Sequence, residues 1–376
     1  MKKLYLALLI MLALLSASPV LAASKSAAAK AAWKPLSPDG YSPIAWAKAP
    51  GIASFFKAPD DNGAIDFVTR IYLPQNQIEF IISTNTPADL TATDVNSGSD
   101  TASSGQESFS TTTSSSTTAA DISDFHNLSF TRLGAEAAKA IAAPVKFLWD
   151  AQFFNLQPVF SELSMAVKYT AGTTTTITSG SRSIPDMAKP RRMLIINNQT
   201  GKAAIEDFDS SIFIDNKNGD QALEGFAPTV PLSDSAGGAA SRLFLGVSDD
   251  GKELLIYCSQ LATVDEASNA LALAGISPDH QLQADGGGSA ACGYNLPGQF
   301  FVEPTRSLPL LMGAETILAR GIATTKTLNV RSGPSAKKPI VTKLSKGAAV
   351  RVFEEKNGWY RIGDGQWVLK SQIKKT

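Results

Sequence analysis

The chain has 376 residues, 44% of them apolar and 18% charged, and its 34 basic side chains balance 34 acidic ones. At roughly 100–200 residues per domain this composition predicts about two globular domains, large enough to bury a core without a structural metal. Two histidines and two cysteines are too few for a zinc cage. HExxH, GxxxxGK[ST] and GxSxG motifs are all absent from the sequence. Zinc proteases, P-loop ATPases and α/β-hydrolases are therefore disfavoured.

Met1–Ala22 opens with two lysines, continues as an apolar run and ends in Val20-Leu21-Ala22, with small residues at −3 and −1. This is the pattern of a secretory signal, and the run is short for a bilayer span. We expect an exported mature chain from about Ala23, secreted or periplasmic/cell-envelope associated, with no transmembrane segment once the signal is removed. Residues 23–50 read as leader and linker. In an oxidising compartment Cys258 and Cys292 are able to pair, but two buried thiols account for them equally well.

The zero net charge hides a division. Residues 319–376 hold 13 Lys/Arg against 3 Asp/Glu, and residues 23–318 hold 19 against 31. That break predicts a separate basic C-terminal module with affinity for an anionic polymer. Export makes nucleic acid the least suitable candidate.

Within 51–318, β-rich runs are predicted at Ile65–Tyr72 and Ile78–Ile82. Residues 84–121 form a Ser/Thr-rich insertion in which 15 of the 22 residues from Ser97 to Thr118 are Ser or Thr. It is too poor in apolar side chains to offset its ordering entropy, so we expect disorder there. A helix is predicted over Leu133–Ile141, and strands at Val145–Trp149, Leu163–Tyr169, Met193–Ile196, Ser211–Ile214, Leu243–Val247 and Glu253–Tyr257. Asp215–Asp220 reads as a turn, since Lys217 stands where a calcium loop needs an oxygen ligand. Thr263-x-x-Glu266 opens a helix that Gly275 closes.

A short strand, Gln281–Ala284, then delivers Asp285-Gly286-Gly287-Gly288-Ser289. Consecutive glycines leave backbone N–H groups able to form an anion nest, and Ser289 adds a hydroxyl. Asp285, at the strand end, is the candidate general base or nucleophile, or alternatively a group that hydrogen-bonds a substrate hydroxyl. The plain alternative is a flexible turn after a strand.

Together with Arg242, the helix after Thr263 and Arg306, this loop resembles the phosphodiester glycosidases. The upstream Gln152-Phe153-Phe154-Asn155 resembles that family's Asn-containing strand end. The resemblance spans about Asp66 to Leu311. It implies Asp285, Arg306 and Arg242 as catalytic residues, and Gly286, Gly287, Gly288, Ser289, Asn155 and Gln152 as substrate-binding ones. No metal ligands and no cofactor are implied, with a single bound calcium left open. The family usually carries Asn at the position of Asp150, Thr at Leu243 and Glu at Thr305.

Near the C-terminus, Leu328-Asn-Val-Arg-Ser-Gly-Pro-Ser335, Gly358-Trp-Tyr-Arg-Ile362 and Trp367-Val368 belong to five short β runs separated by Gly/Pro/Ser turns. They resemble the bacterial SH3-like domain, which implies a small barrel that binds peptidoglycan or a wall peptide. Trp359, Tyr360 and Trp367 read as its core.

The expected fold class is α+β, a mixed β-sheet domain with a few helices plus a small all-β barrel at 319–376. The expected function is that of an exported glycosidase hydrolysing sugar-1-phosphodiester linkages in envelope glycopolymers or exopolysaccharide. The alternative is a non-catalytic glycopolymer-binding protein with a degenerate glycosidase domain.

Overall fold

The computed structural model describes residues 33–59, 64–82, 125–126, 145–156, 160–171, 174–180, 184, 187–215, 219–229, 238–295, 299–305, 308–363 and 365–376. The chain divides into Met1–Lys34 and one compact unit, Pro35–Thr376, to which all that follows belongs. The signal, the Ser/Thr insertion and the helix expected at 133–141 lie outside the described residues.

The expected α+β class is corrected. Strands dominate, and the described residues contain two α-helices, Ser210–Ile214 and Val264–Leu273. The reason is patterning: nearly every apolar run alternates with period two or is a short block buried on both faces, and both patterns specify strand.

Two antiparallel sheets make the larger body. One has 11 strands: nine run in order from the edge strand Ser42–Ala49 through Ile52–Lys57, Asp66–Tyr72, Glu253–Ala262, Ala240–Val247 and Gln281–Gly286 to Gln221–Phe226, Arg191–Asn197 and Lys202–Asp207, and Val167–Ala171, paired with Gln221–Phe226, and Thr174–Thr178 complete it. The other has five, with Phe147–Asp150 at its centre between Cys292–Tyr294 and Leu310–Thr316. The sheets bury one apolar layer between them. Ile71, Leu243, Leu254 and Leu282 of the first meet Ile78, Phe147, Trp149 and Met312 of the second. Cys258 and Cys292 lie in this layer and form a disulfide, tying one sheet to the other. The 23–50 stretch contributes the edge strand Ser42–Ala49.

The opposite face of the large sheet takes the helix Val264–Leu273, whose Val264, Ala267, Ala270 and Leu271 pack with Phe244, Leu255 and Tyr257. Its capping box is complete: Thr263 Oγ1 accepts from Glu266 N, and Glu266 Oε2 accepts from Thr263 N. Arg70 Nη2 donates to the C-terminal carbonyl of Ala274.

Two strand expectations fail locally. Ser211–Ile214 is helical because Asp209 caps it, its Oδ1 accepting from Ser211 N and Ile212 N. Leu163–Tyr169 divides into Phe160–Leu163 and Val167–Ala171.

The C-terminal part comprises a five-stranded sheet, centred on Gln366–Leu369, and a three-stranded sheet of Ala319–Ala323, Ala349–Val352 and Ile373–Lys375. It is not the closed barrel expected. Leu328, Val330, Val352, Tyr360 and Val368 form its core, and Trp359 and Trp367 are buried as well. Two residues, Ile317 and Leu318, separate the strand Leu310–Thr316 from Ala319–Ala323. Arg320 reaches back across that junction. Its Nε donates to Asn198 O, Nη1 to Pro74 O, and Nη2 to Leu73 O and Asn76 O.

Candidate functional site

The site is built on a register fault. Gly246, Leu245 and Phe244 pair in order with Gln281, Leu282 and Gln283, yet Arg242 pairs with Gly286. One residue more than regular pairing allows lies between Gln283 and Gly286, which makes a β-bulge at Ala284–Asp285. The strand on the other side slips too: Arg242 faces Ser259 while Ala240 faces Ala262. Bulges re-aim side chains and are frequent beside active sites. Here the fault displaces Asp285 from its place opposite Arg242.

The glycine loop starts where backbones crowd. A Cβ on Gly286 would stand 2.9 Å from Ser241 O, so only glycine fits. Gly287 has φ +59° and opens the 3-10 turn Gly287–Ser289. The loop is tied at three points. Gly286 pairs with Arg242, Gly288 O accepts from Thr305 N, and Ala291 O accepts from Asp150 N. Gly287 is exposed at the tip, and Ser289 is buried at the base.

Asp285 is 8% exposed, and its Oδ1 accepts from Gly286 N at 2.7 Å. Against it lies Asp150, fully buried at the end of the strand Phe147–Asp150. Asp150 Oδ1 accepts from Ala151 N at 2.7 Å, whereas Oδ2 is buried and meets no N–H or hydroxyl donor. Burial holds the Asp150 carboxyl well above the usual carboxylate range. The neighbouring Asp285 charge adds to this, as does the hydrogen bond between the two side chains, while the amides of Ala151 and Gln152 oppose it. Two carboxyl groups can hydrogen-bond to each other only when one carries a proton.

Arg242 is 3% exposed. Nε donates to Ala262 O at 3.2 Å and Nη2 to Gly238 O at 3.0 Å, and Nη1 stands 3.9 Å from where a Cβ on Gly286 would lie. Gln152 is buried, with Nε2 donating to Ala166 O and Glu224 O and Oε1 accepting from Phe153 N. Three of its four amide hydrogen bonds thus go to backbone, and it braces the strand ends beneath the site. Asn155 lies on the strand Phe154–Leu156, its backbone opposite Glu162. Arg306 lies outside the described residues, one position beyond the Thr305 that grips Gly288. Asp285, Gly286, Gly287, Gly288, Ser289 and Arg242 are therefore brought together.

Sequence reasoning treats Asp150 only as a departure from a pattern. Its signal is an acidic residue ending the apolar strand Phe147-Leu-Trp-Asp150, all four of whose residues are buried. A buried carboxylate of that kind needs a partner or a proton.

Among the described residues no group of His, Cys, Asp and Glu is arranged to hold a metal ion, and no helix is long and apolar enough to cross a membrane. No curated protein matches the sequence. Among solved structures, a hypothetical protein from Synechocystis aligns at 10% identity and TM-score 0.39, over 73% of this chain and 64% of that one. This chain thus spans less than two thirds of the Synechocystis protein's length. The catalytic domain of zebrafish N-acetylglucosamine-1-phosphodiester alpha-N-acetylglucosaminidase, auto-inhibited by its pro-peptide, aligns at 13% identity and TM-score 0.40, over 70% of this chain and 83% of that one. Both likenesses are distant. Residues 326–374 match the bacterial SH3 domain family, so the chain carries a bacterial SH3 domain in its C-terminal part.

Proposed function

We propose that this chain is an exported hydrolase that cleaves sugar-1-phosphodiester linkages in cell-envelope glycopolymers or exopolysaccharide. In this reading its bacterial SH3 domain holds it against peptidoglycan or a wall peptide. The observation that carries the reading is the bulged strand end, where a nearly buried Asp285 opens a triple-glycine loop lying across from a buried Arg242. Export rests on the Met1–Ala22 pattern, and wall attachment on the SH3 domain with its excess of Lys and Arg.

The residues divide the work by chemistry. The leaving group at the anomeric carbon is a phosphate monoester, a stable anion that departs with little protonation. One carboxylate is therefore enough, unlike the pair in ordinary glycoside hydrolysis. Asp285 is that group, acting as general base toward water or as nucleophile. The amides of Gly286–Gly288, the Ser289 hydroxyl and the guanidinium groups of Arg242 and Arg306 receive the phosphodiester. Charge-assisted contacts gain strength where water is excluded. Asn155 is assigned to the sugar, and Gln152 supports the wall of the site.

The test is hydrolysis of an α-linked N-acetylglucosamine-1-phosphodiester by the mature protein, followed by a panel of other sugar-1-phosphodiesters. Free sugar from the wild type, cut at least ~100-fold in Asp285→Asn, supports the assignment. Retention of anionic glycopolymer without release from any member of the panel overturns it in favour of a binding protein.

A further inference from the structure

Asp150 and Asp285 arrive from different sheets and meet where neither has room for two charges. Asp150 has no exposed surface, one oxygen held by Ala151 N, and a second that meets no N–H or hydroxyl. Its backbone is fixed independently by Ala291 O and by pairing with Leu311. The carboxyl group is therefore delivered to Asp285 by two neighbouring segments and is not free to swing out to water.

We propose that Asp150 is a positioning residue that keeps one proton between itself and Asp285, and that this shared proton holds Asp285 in its working orientation. The inference rests on the reading of Asp285 as the acting carboxylate. With the proton on Asp150, its O–H donates to Asp285, while Gly286 N donates to Asp285 Oδ1. Asp285 is then ionised and clamped from both sides. Removing the proton leaves two adjacent buried anions, which repel and release the clamp. Adding a second neutralises Asp285. The two apparent pKa values belong to the pair and not to either residue.

Among the described residues, the charged and titratable groups on the elements around the pair are these. Asp285 is the charge acting most on Asp150. The strand Ala240–Val247 brings Arg242 opposite Gly286. On the strand Leu310–Thr316 the ionisable residue is Glu315, hydrogen-bonded by Gln77 and four positions beyond the Leu311 that pairs with Asp150. The segment Ala291–Tyr294 brings Cys292, which is oxidised in the disulfide, and Tyr294, which pairs with Phe147. Beneath Gln152, Glu224 is held by Arg191 and by Ala166 N. Arg306 follows Thr305 outside the described residues.

The experiment compares wild type, Asp150→Asn and Asp150→Ala in kcat and KM across acid to alkaline pH, and in Tm at an acid and an alkaline pH. Asn keeps an N–H donor for Asp285 and has no proton to lose. We expect Asp150→Asn to retain turnover within ~10-fold and to lose the alkaline fall in kcat. We expect Asp150→Ala to lower kcat by ~100-fold or more with little change in KM. The Tm of Asp150→Asn should rise relative to wild type more at alkaline than at acid pH. An alkaline limb unchanged in Asp150→Asn overturns the proposal. If no sugar phosphodiester is cleaved by the wild type, the functional reading fails on its own and the Tm comparison still decides the shared proton: a difference independent of pH rules it out.

Discussion

Arg320 Nε donates to the carbonyl of Asn198 at 2.7 Å, a bond that joins the first strand of the C-terminal part to a turn of the large sheet. Three more carbonyls, of Leu73, Pro74 and Asn76, complete a cage around the same guanidinium. Burial draws its pKa down to about 10, so it remains a cation at neutral pH. Four backbone carbonyls solvate the charge, and the nearby Asp220 carboxylate also favours it, against the repulsion of Arg351.

Replacing Arg320 with Met should destabilise the whole compact unit. Three buried carbonyls and the half-buried one of Pro74 would lose their donor, at a cost on the order of 3–5 kcal/mol. Urea unfolding with fluorescence of Trp149 and Trp359 as core reporters would read this directly. A single transition displaced to lower urea is expected, and an unchanged midpoint would contradict the anchoring role.

A second contact across the same junction titrates. Arg351 lies 3.6 Å from Glu79 and 3.4 Å from Asp220, and Gln221 Nε2 donates to Glu79. Burial pushes Glu79 up to about 7, with Arg351 opposing the rise and Asp220 adding to it. The folded state thus holds a proton that the unfolded chain, near 4.5, releases earlier. Stability from this group is greatest in acid and is lost as pH rises from about 4.5 through about 7. The Tm of Glu79→Gln minus that of wild type should be more positive at pH ~8 than at pH ~5; a constant difference would refute the assignment.

The disulfide closes a loop of 34 residues across the sandwich. Chain-entropy reasoning gives about 3–4 kcal/mol for a loop of that length. Cys258→Ala with Cys292→Ala should lower the urea midpoint accordingly. Reductant should lower the wild type toward the double variant and leave the variant itself unchanged.

Gly286→Ala places a methyl group against Ser241 O, 2.9 Å away, at the start of the candidate anion nest. Either the loop or the bulge must move, at about 1–3 kcal/mol. Turnover, if Asp285 acts as proposed, should fall by more than the Tm shift accounts for. Gly275→Ala, where φ is +88° but no atom lies within 4 Å, provides a control for backbone strain without crowding.

Local signals carried much of this architecture. The Thr263–Glu266 capping box and the glycine stop place the one long described helix within a residue or two, because the cap is a contact among near neighbours in sequence. The period-two runs give the strands, and the Leu328 to Val368 wording gives the SH3 domain. Ser211–Ile214 misleads because a single cap, Asp209, outweighs an apolar triplet that reads as strand. The α+β expectation rested on two or three helices in a chain whose described buried faces are almost all sheet. The Asp150–Asp285 contact was not legible at all. It depends on a bulge and on the packing of two sheets, and neither leaves a mark in linear spacing.

The connection of only Ile317 and Leu318 has a consequence for avidity. A flexible tether lets a tethered site sample many positions along a polymer, with an effective concentration set by its length. With Arg320 locked in its cage, reach no longer enters. On the proposed reading, a wall ligand held by the SH3 domain meets the Asp285 loop at one distance and one angle. Effective concentration is then high for linkages at the matching interval along the polymer and close to zero for the rest, so repeat length becomes a selectivity filter separate from the chemistry of the sugar.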